Sequence, residues 1–122
     1  MHGIGTDILA IGRIRPLENQ WDDPFFMKAY TEKERIFCLG RSDPVTAFAE
    51  AFSAKEAVFK SLGMPADLIR LDQIEILRDP DGKPTVTLHP PLREKAAALG
   101  ITRICLSISY ERDYVVAFAV SE

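Results

Sequence analysis

T-A-F-A-E-A-F-S-A-K-E-A-V-F-K-S-L-G, residues 46–63, is the longest stretch with helical spacing, and the rest of the chain is arranged around it. At roughly 100° per residue, Phe48, Phe52 and Phe59 fall on one line, and Ala51, Val58 and Leu62 continue the arc. Gly63 supplies the stop. Lys55 points into the middle of that apolar arc. Glu56 lies at its margin, one turn after Phe52 and one turn before Lys60. Burying a charge is costly unless it is paired or bound to a metal, so this helix is expected to carry either a structural ion pair or a chemical site.

Upstream, G-I-G-T-D-I-L-A-I-G (3–12) predicts a strand with Ile4, Thr6 and Ile8 on one face and Gly5, Asp7 and Leu9 on the other. A carboxylate therefore interrupts an apolar strand. Asp23-Pro24 opens a helix through F-F-M-K-A-Y, and Thr31 with Glu34 has the capping-box spacing that starts a second helix, ending near Gly40. Downstream, M-P-A-D-L-I-R-L-D (64–72) is irregular or briefly helical. Q-I-E-I-L-R (73–78) alternates as a strand and pairs, across the turn D-P-D-G-K-P, with T-V-T-L-H. P-P-L-R-E-K-A-A-A-L-G (90–100) is a helix from proline to glycine. R-I-C-L-S-I-S-Y and Y-V-V-A-F-A-V form a second hairpin around E-R-D. This order predicts one α+β domain over residues 1–122, an antiparallel sheet from two hairpins plus the N-terminal strand, packed by helices. Val, Ala and Phe on both faces of the last strand predict burial on both sides.

With 122 residues, 47% hydrophobic and 27% charged, the chain can bury one core. No apolar run approaches the ~20 residues that span a bilayer, and the start lacks the pattern of a signal peptide, so a soluble, cytoplasmic protein without membrane contact is expected. A net charge of −3 argues against general nucleic-acid binding. Arg13, Arg15, Lys28, Lys33, Arg35 and Arg41 nonetheless gather in the first third, where they can meet an acidic partner or simply be solvated. Cys38 and Cys105 have no metal-ligand spacing and read as reduced, buried thiols. His2 and His89 have no partner at ligand spacing and are given no role.

The two conspicuous acids are Asp7 and Glu56. If the fold brings them together, a hard divalent ion such as Mg²⁺ suits the pair, because it takes oxygen ligands and is commonly held by one or two carboxylates plus substrate phosphates. Lys60 can then reach a phosphate oxygen. The plainer alternative is a surface Glu56–Lys60 pair worth about 0.3–0.5 kcal/mol, with Asp7 a local cap.

G-I-G-T-D-I at the start, F-S-A-K-E-A-V-F-K-S-L-G in the middle and I-E-I-L-R-D-P-D-G-K-P later resemble, in order and spacing, the holo-acyl-carrier-protein synthase family of 4′-phosphopantetheinyl transferases. The resemblance implies that family's fold, and transfer of the phosphopantetheine arm of coenzyme A to a serine of an apo acyl carrier protein, releasing adenosine 3′,5′-bisphosphate. It further implies Mg²⁺ and a homotrimer with active sites between subunits. On this sequence, Asp7 and Glu56 match the metal ligands and Lys60 a lysine on coenzyme A phosphate. Gly63 closes the same helix. Lys55 matches the K-E-A lysine and is assigned to phosphate or acid orientation. Gly82, Lys83 and Pro84 match a turn beside the nucleotide, and Arg13 a position at the carrier-docking helix. The attacking serine loses its proton to Glu56 or to a water that Glu56 orients, and the sequence does not choose between them.

Two positions depart from the family. Tyr110 stands where histidine commonly follows S-I-S, and Ala51 where arginine often precedes F-S-A-K-E-A. Two rival readings therefore remain: a phosphate-ester hydrolase using the same acids, and a non-catalytic subunit that keeps the fold.

Overall fold

Asp43 starts the central helix two residues earlier than its apolar spacing predicts. A cap signal outranks periodicity here: Asp43 accepts a hydrogen bond from Thr46 N at 3.4 Å, Pro44 takes the first helical position, and the helix runs Pro44–Leu62. Gly63, at φ +68°, ends it in the left-handed conformation. The computed structural model describes residues 1–68 and 70–122. In chain order it contains β1 (Gly3–Ala10), α1 (Pro24–Ala29), α2 (Glu32–Leu39), α3 (Pro44–Leu62), β2 (Ile74–Arg78), β3 (Pro84–Leu88), α4 (Leu92–Ala98), β4 (Ile104–Tyr110) and β5 (Tyr114–Ser121). Within 64–72 there are 3-10 turns at Ala66–Leu68 and Leu71–Gln73, while Ile69 lies outside the described residues.

The fold is α+β and antiparallel, but its strands divide into two sheets where one was expected: β1-β5-β4 and β2-β3. A groove lined by Val86, Leu88, Ala97, Ile101 and Ile104 separates β3 from β4. The alternation read for β1 holds, since Gly5 and Leu9 are buried while Ile4 and Ile8 face outward.

Helix α3 is buried on two sides. On the side of its large residues, Phe48 and Phe52 pack on the aromatic cluster, where Phe26 and Phe48 rings lie 4.7 Å apart and Tyr30 Oη donates to Phe48 O at 2.8 Å, and Val58 and Leu62 further along are fully buried. The opposite side carries small residues, Ser53, Ala57 and Ser61, all fully buried. These lie against β1 and β5, whose inward row is Val115, Ala117 and Ala119.

On the outer face of the three-stranded sheet one expectation fails, that of a buried Cys105, while burial of β5 on both sides concerns copies of the chain packed together. β5 is buried on one side only: Tyr114, Val116 and Phe118 are 52%, 41% and 46% exposed, because no layer of this chain covers them. Cys105 lies exposed on β4, whereas Cys38 is buried as expected.

Candidate active site

Backbone contact sets the geometry. A Cβ on Gly5 would overlap the Ala57 carbonyl oxygen, and one on Gly3 that of Ser61, so β1 lies directly on the small face of α3. With β1 this close, the inward Asp7 side chain meets the helix at Ser53. Ser53 Oγ, in a fully buried residue, donates to Asp7 Oδ2 at 2.9 Å. Lys60 approaches the same acid, its Nζ 3.5 Å from Asp7 Oδ1, and donates to Thr6 O at 3.0 Å while staying half exposed.

Glu56, partly buried on α3, completes the group. Burial raises its carboxyl above the usual carboxylate range, the neighbouring Asp7 charge raises it further, and Lys60 opposes both. Two carboxylates, one raised in part by the charge of the other, with a half-exposed lysine beside them, offer the hard oxygen donors that a divalent cation takes. Among the described residues no three Asp, Glu, His or Cys side chains cluster as ligands, so an ion here would complete its shell with water and substrate oxygens. The resemblance, rather than spacing, pointed to Asp7, Glu56 and Lys60 as a group. Ser53 was missed, although its place on the small face at i, i+4, i+8 with Ala57 and Ser61 was there to find.

Lys55 is a correction. Its side chain is fully enclosed, and its ammonium donates to Glu34 Oε1 at 2.6 Å, to Leu71 O at 2.9 Å and to Ile74 O, which uses all three donors. It therefore has no donor left for a phosphate. Burial lowers the Lys55 pKa, against the pull of Glu34, and burial raises that of Glu34, against the pull of Lys55. Glu34 also accepts from Ile76 N and Thr31 N, so the capping-box acid read from sequence has a second task, tying α2, α3 and β2 together. The helix that posed the choice of ion pair or site carries both.

His2 also departs from the expectation of no role. Its Nε2 lies 2.9 Å from Leu62 O, at the C-terminal end of α3 beside Gly63. Gly82, at φ +84°, Lys83 and Pro84 form the expected turn between β2 and β3. Arg41, Glu50, Arg78, Gly82, Ile108 and Tyr110 border a cleft of about 340 Å³ beside it. The acid pair does not open into this cleft: Glu50 and Glu56, six positions apart, point about 120° apart on α3. Within one chain the structure therefore brings Asp7, Glu56 and Lys60 together and leaves the Gly82–Pro84 turn on another side. Arg13, in the 3-10 turn Ile11–Arg13 that follows β1, is exposed.

The comparisons agree with this architecture. The chain resembles the holo-[acyl-carrier-protein] synthase of Chlamydia trachomatis serovar D, 39% identical over 123 residues with both chains fully covered. A relative of the same name from Dehalococcoides mccartyi strain CBDB1 is 37% identical over 97% of this chain and 96% of its own. Among solved structures, the holo-[acyl-carrier-protein] synthase of Neisseria meningitidis superposes with a TM-score of 0.89 at 35% identity, covering 100% of this chain and 98% of that one. The Helicobacter pylori enzyme in complex with coenzyme A gives 0.82 at 26% identity, covering 98% and 99%. The sequence profile of the 4′-phosphopantetheinyl transferase superfamily matches residues 3–119, and the chain belongs to that family.

Proposed function

We propose that this chain is a holo-[acyl-carrier-protein] synthase, moving the 4′-phosphopantetheine of coenzyme A onto a serine of an apo acyl carrier protein. The observation that carries the reading is the meeting of Asp7, Ser53, Glu56 and Lys60 where β1 lies on α3. The serine oxygen bonds to the β-phosphorus of coenzyme A, and the bond from that phosphorus to the oxygen bridging to the nucleotide breaks. Adenosine 3′,5′-bisphosphate leaves.

Asp7 and Glu56 would hold Mg²⁺, which when bound supplies charge stabilisation at the pyrophosphate. Ser53 fixes one oxygen of Asp7, leaving the other to face the opening. Lys60 stands on the same side as a mobile cation for the charge that builds on the leaving pyrophosphate. Glu56, or a water it orients, is the candidate to receive the serine proton.

A groove of about 630 Å³ lined by Phe25, Met27, Lys28, Phe52 and Arg70 reaches Phe52, one helical turn from Glu56. An acidic carrier docked over Lys28 and Arg13 would present its serine there. The outer sheet face, with Ile4, Ile8, Val116 and Phe118 exposed, supports a homotrimer in which the Gly82–Pro84 turn of one copy completes the acid pair of another. Among the described residues no helix is long and apolar enough to cross a membrane. A cytoplasmic role in fatty-acid synthesis follows from the carrier substrate.

The test is incubation with coenzyme A, Mg²⁺ and apo carrier, read by mass spectrometry. The carrier gains the phosphopantetheine arm, and Asp7→Asn or Glu56→Gln abolishes the gain. Coenzyme A cleavage without carrier modification would show a hydrolase instead, and no reaction at all a non-catalytic subunit.

A further inference from the structure

The turn after β2 is rigid in itself. Asp79 Oδ1 accepts from Asp81 N and Lys83 N, both at 2.9 Å, and Asp79 N and O pair with Lys83 O and Gly82 N at the same length. Most of its residues are exposed, so packing does little to orient it. Arg78, the last residue of β2, bridges it to the helix layer: Nη1 donates to Gly82 O at 3.0 Å, and Nη2 lies 2.6 Å from Glu50 Oε2 on α3.

We propose that Glu50 is a positioning residue, which through Arg78 fixes the Asp79–Lys83 turn against α3 and so sets where Gly82 and Lys83 meet the nucleotide half of coenzyme A. This rests on the transferase reading above. Both side chains of the pair are largely covered, 18% exposed for Glu50 and 25% for Arg78, so the carboxylate is drawn partly out of water to make the bond. The contact joins an exposed turn to the helix layer, so its value lies in the geometry it imposes. Arg41, on the cleft rim with its guanidinium 5.3 Å from the Phe37 ring centroid, adds positive charge beside the same opening.

The experiment compares the full-length protein with Glu50→Ala, Arg78→Ala and the conservative Glu50→Gln, using amide hydrogen exchange and steady-state kinetics with apo carrier. Exchange at residues 79–83 is expected to accelerate about tenfold in each alanine variant, while α3 and the three-stranded sheet stay protected. KM for coenzyme A is expected to rise about tenfold, with kcat and KM for the carrier within twofold of the parent. Glu50→Gln, whose amide oxygen can still accept from Arg78 while Arg78 keeps its bond to Gly82 O, should recover most of both readouts. Unchanged exchange in the turn overturns the proposal whether or not the chain transfers phosphopantetheine. Loosened turns with an unchanged or lower KM, equal loss of kcat, or Glu50→Gln as impaired as Glu50→Ala also overturn it. A parent protein that leaves the carrier unmodified refutes the transferase reading instead, and with it the coenzyme A part of this proposal, while the exchange data still decide the Glu50–Arg78 link.

Discussion

Lys55 Nζ lies 2.6 Å from Glu34 Oε1, and neither side chain reaches solvent. Removing one member strands a buried charge. Lys55→Met is therefore expected to cost about 3–5 kcal/mol in chemical denaturation, with Glu34→Gln similar, while the double substitution regains part of the loss. Additive losses in the double variant would show that the two charges are not coupled.

Gly5→Ala tests the strand-on-helix contact. The added methyl meets the Ala57 carbonyl, which belongs to a helical backbone and cannot step aside alone. A loss of more than about 2 kcal/mol in denaturation and a marked fall in transfer are expected, because Asp7 must move with the strand. Gly12→Ala, with open space around its Cβ, is the control and should leave the core contacts unchanged.

Added magnesium should act on the acid pair. At about a hundred times its dissociation constant, Mg²⁺ is expected to raise unfolding free energy by about 2.7 kcal/mol, and EDTA to return it. Glu56→Gln should flatten that response. A magnesium-dependent melting shift that survives in the variant would place the ion elsewhere.

Glu50 gives a pH dependence of definite sign. Its folded pKa is raised above the ordinary 4.5, chiefly by burial, so the folded state holds the proton longer than the unfolded one. Its contribution to stability is complete below 4.5 and declines as pH rises through the folded value. In paired denaturation series, Glu50→Gln should lose less stability than the parent across that window. An identical slope in both proteins would contradict the assignment.

The cysteines offer a simple probe of assembly. Burial, with the Glu34 and Glu50 charges, pushes the Cys38 thiol up to about 12, so it should react with a thiol reagent only after unfolding. Cys105 lies exposed on the outer sheet opposite Val120, in the row that continues to Ile4. It should react quickly in dilute protein and slowly once copies associate through that face. Rates independent of concentration would argue against that interface.

Local signals were legible wherever a residue's task involves near neighbours in the chain. The capping box at Thr31 and Glu34, the Asp23-Pro24 start, the Gly63 stop and the alternation of β1 all read correctly because each is a matter of a few bonds. Asp7, Glu56 and Lys60 were singled out by resemblance, since spacing alone left a surface Glu56–Lys60 pair as the plainer alternative. Lys55 was misassigned because its partner lies 21 positions away on α2, beyond the reach of any periodic pattern. The split into two sheets and the uncovered face of β5 depend on what packs outside each strand, which composition along the strand does not encode.

The contact of Gly3 and Gly5 with the α3 main chain has a consequence for variation across the fold. Where two elements touch through side chains, their separation drifts as those side chains are exchanged for larger or smaller ones. Here peptide groups meet peptide groups, so the spacing between the β1 and α3 main chains is inherited from bond lengths and van der Waals radii. The aromatic layer on the far side of the helix can then be redrawn, in engineering or by natural divergence, without changing how closely β1 approaches α3.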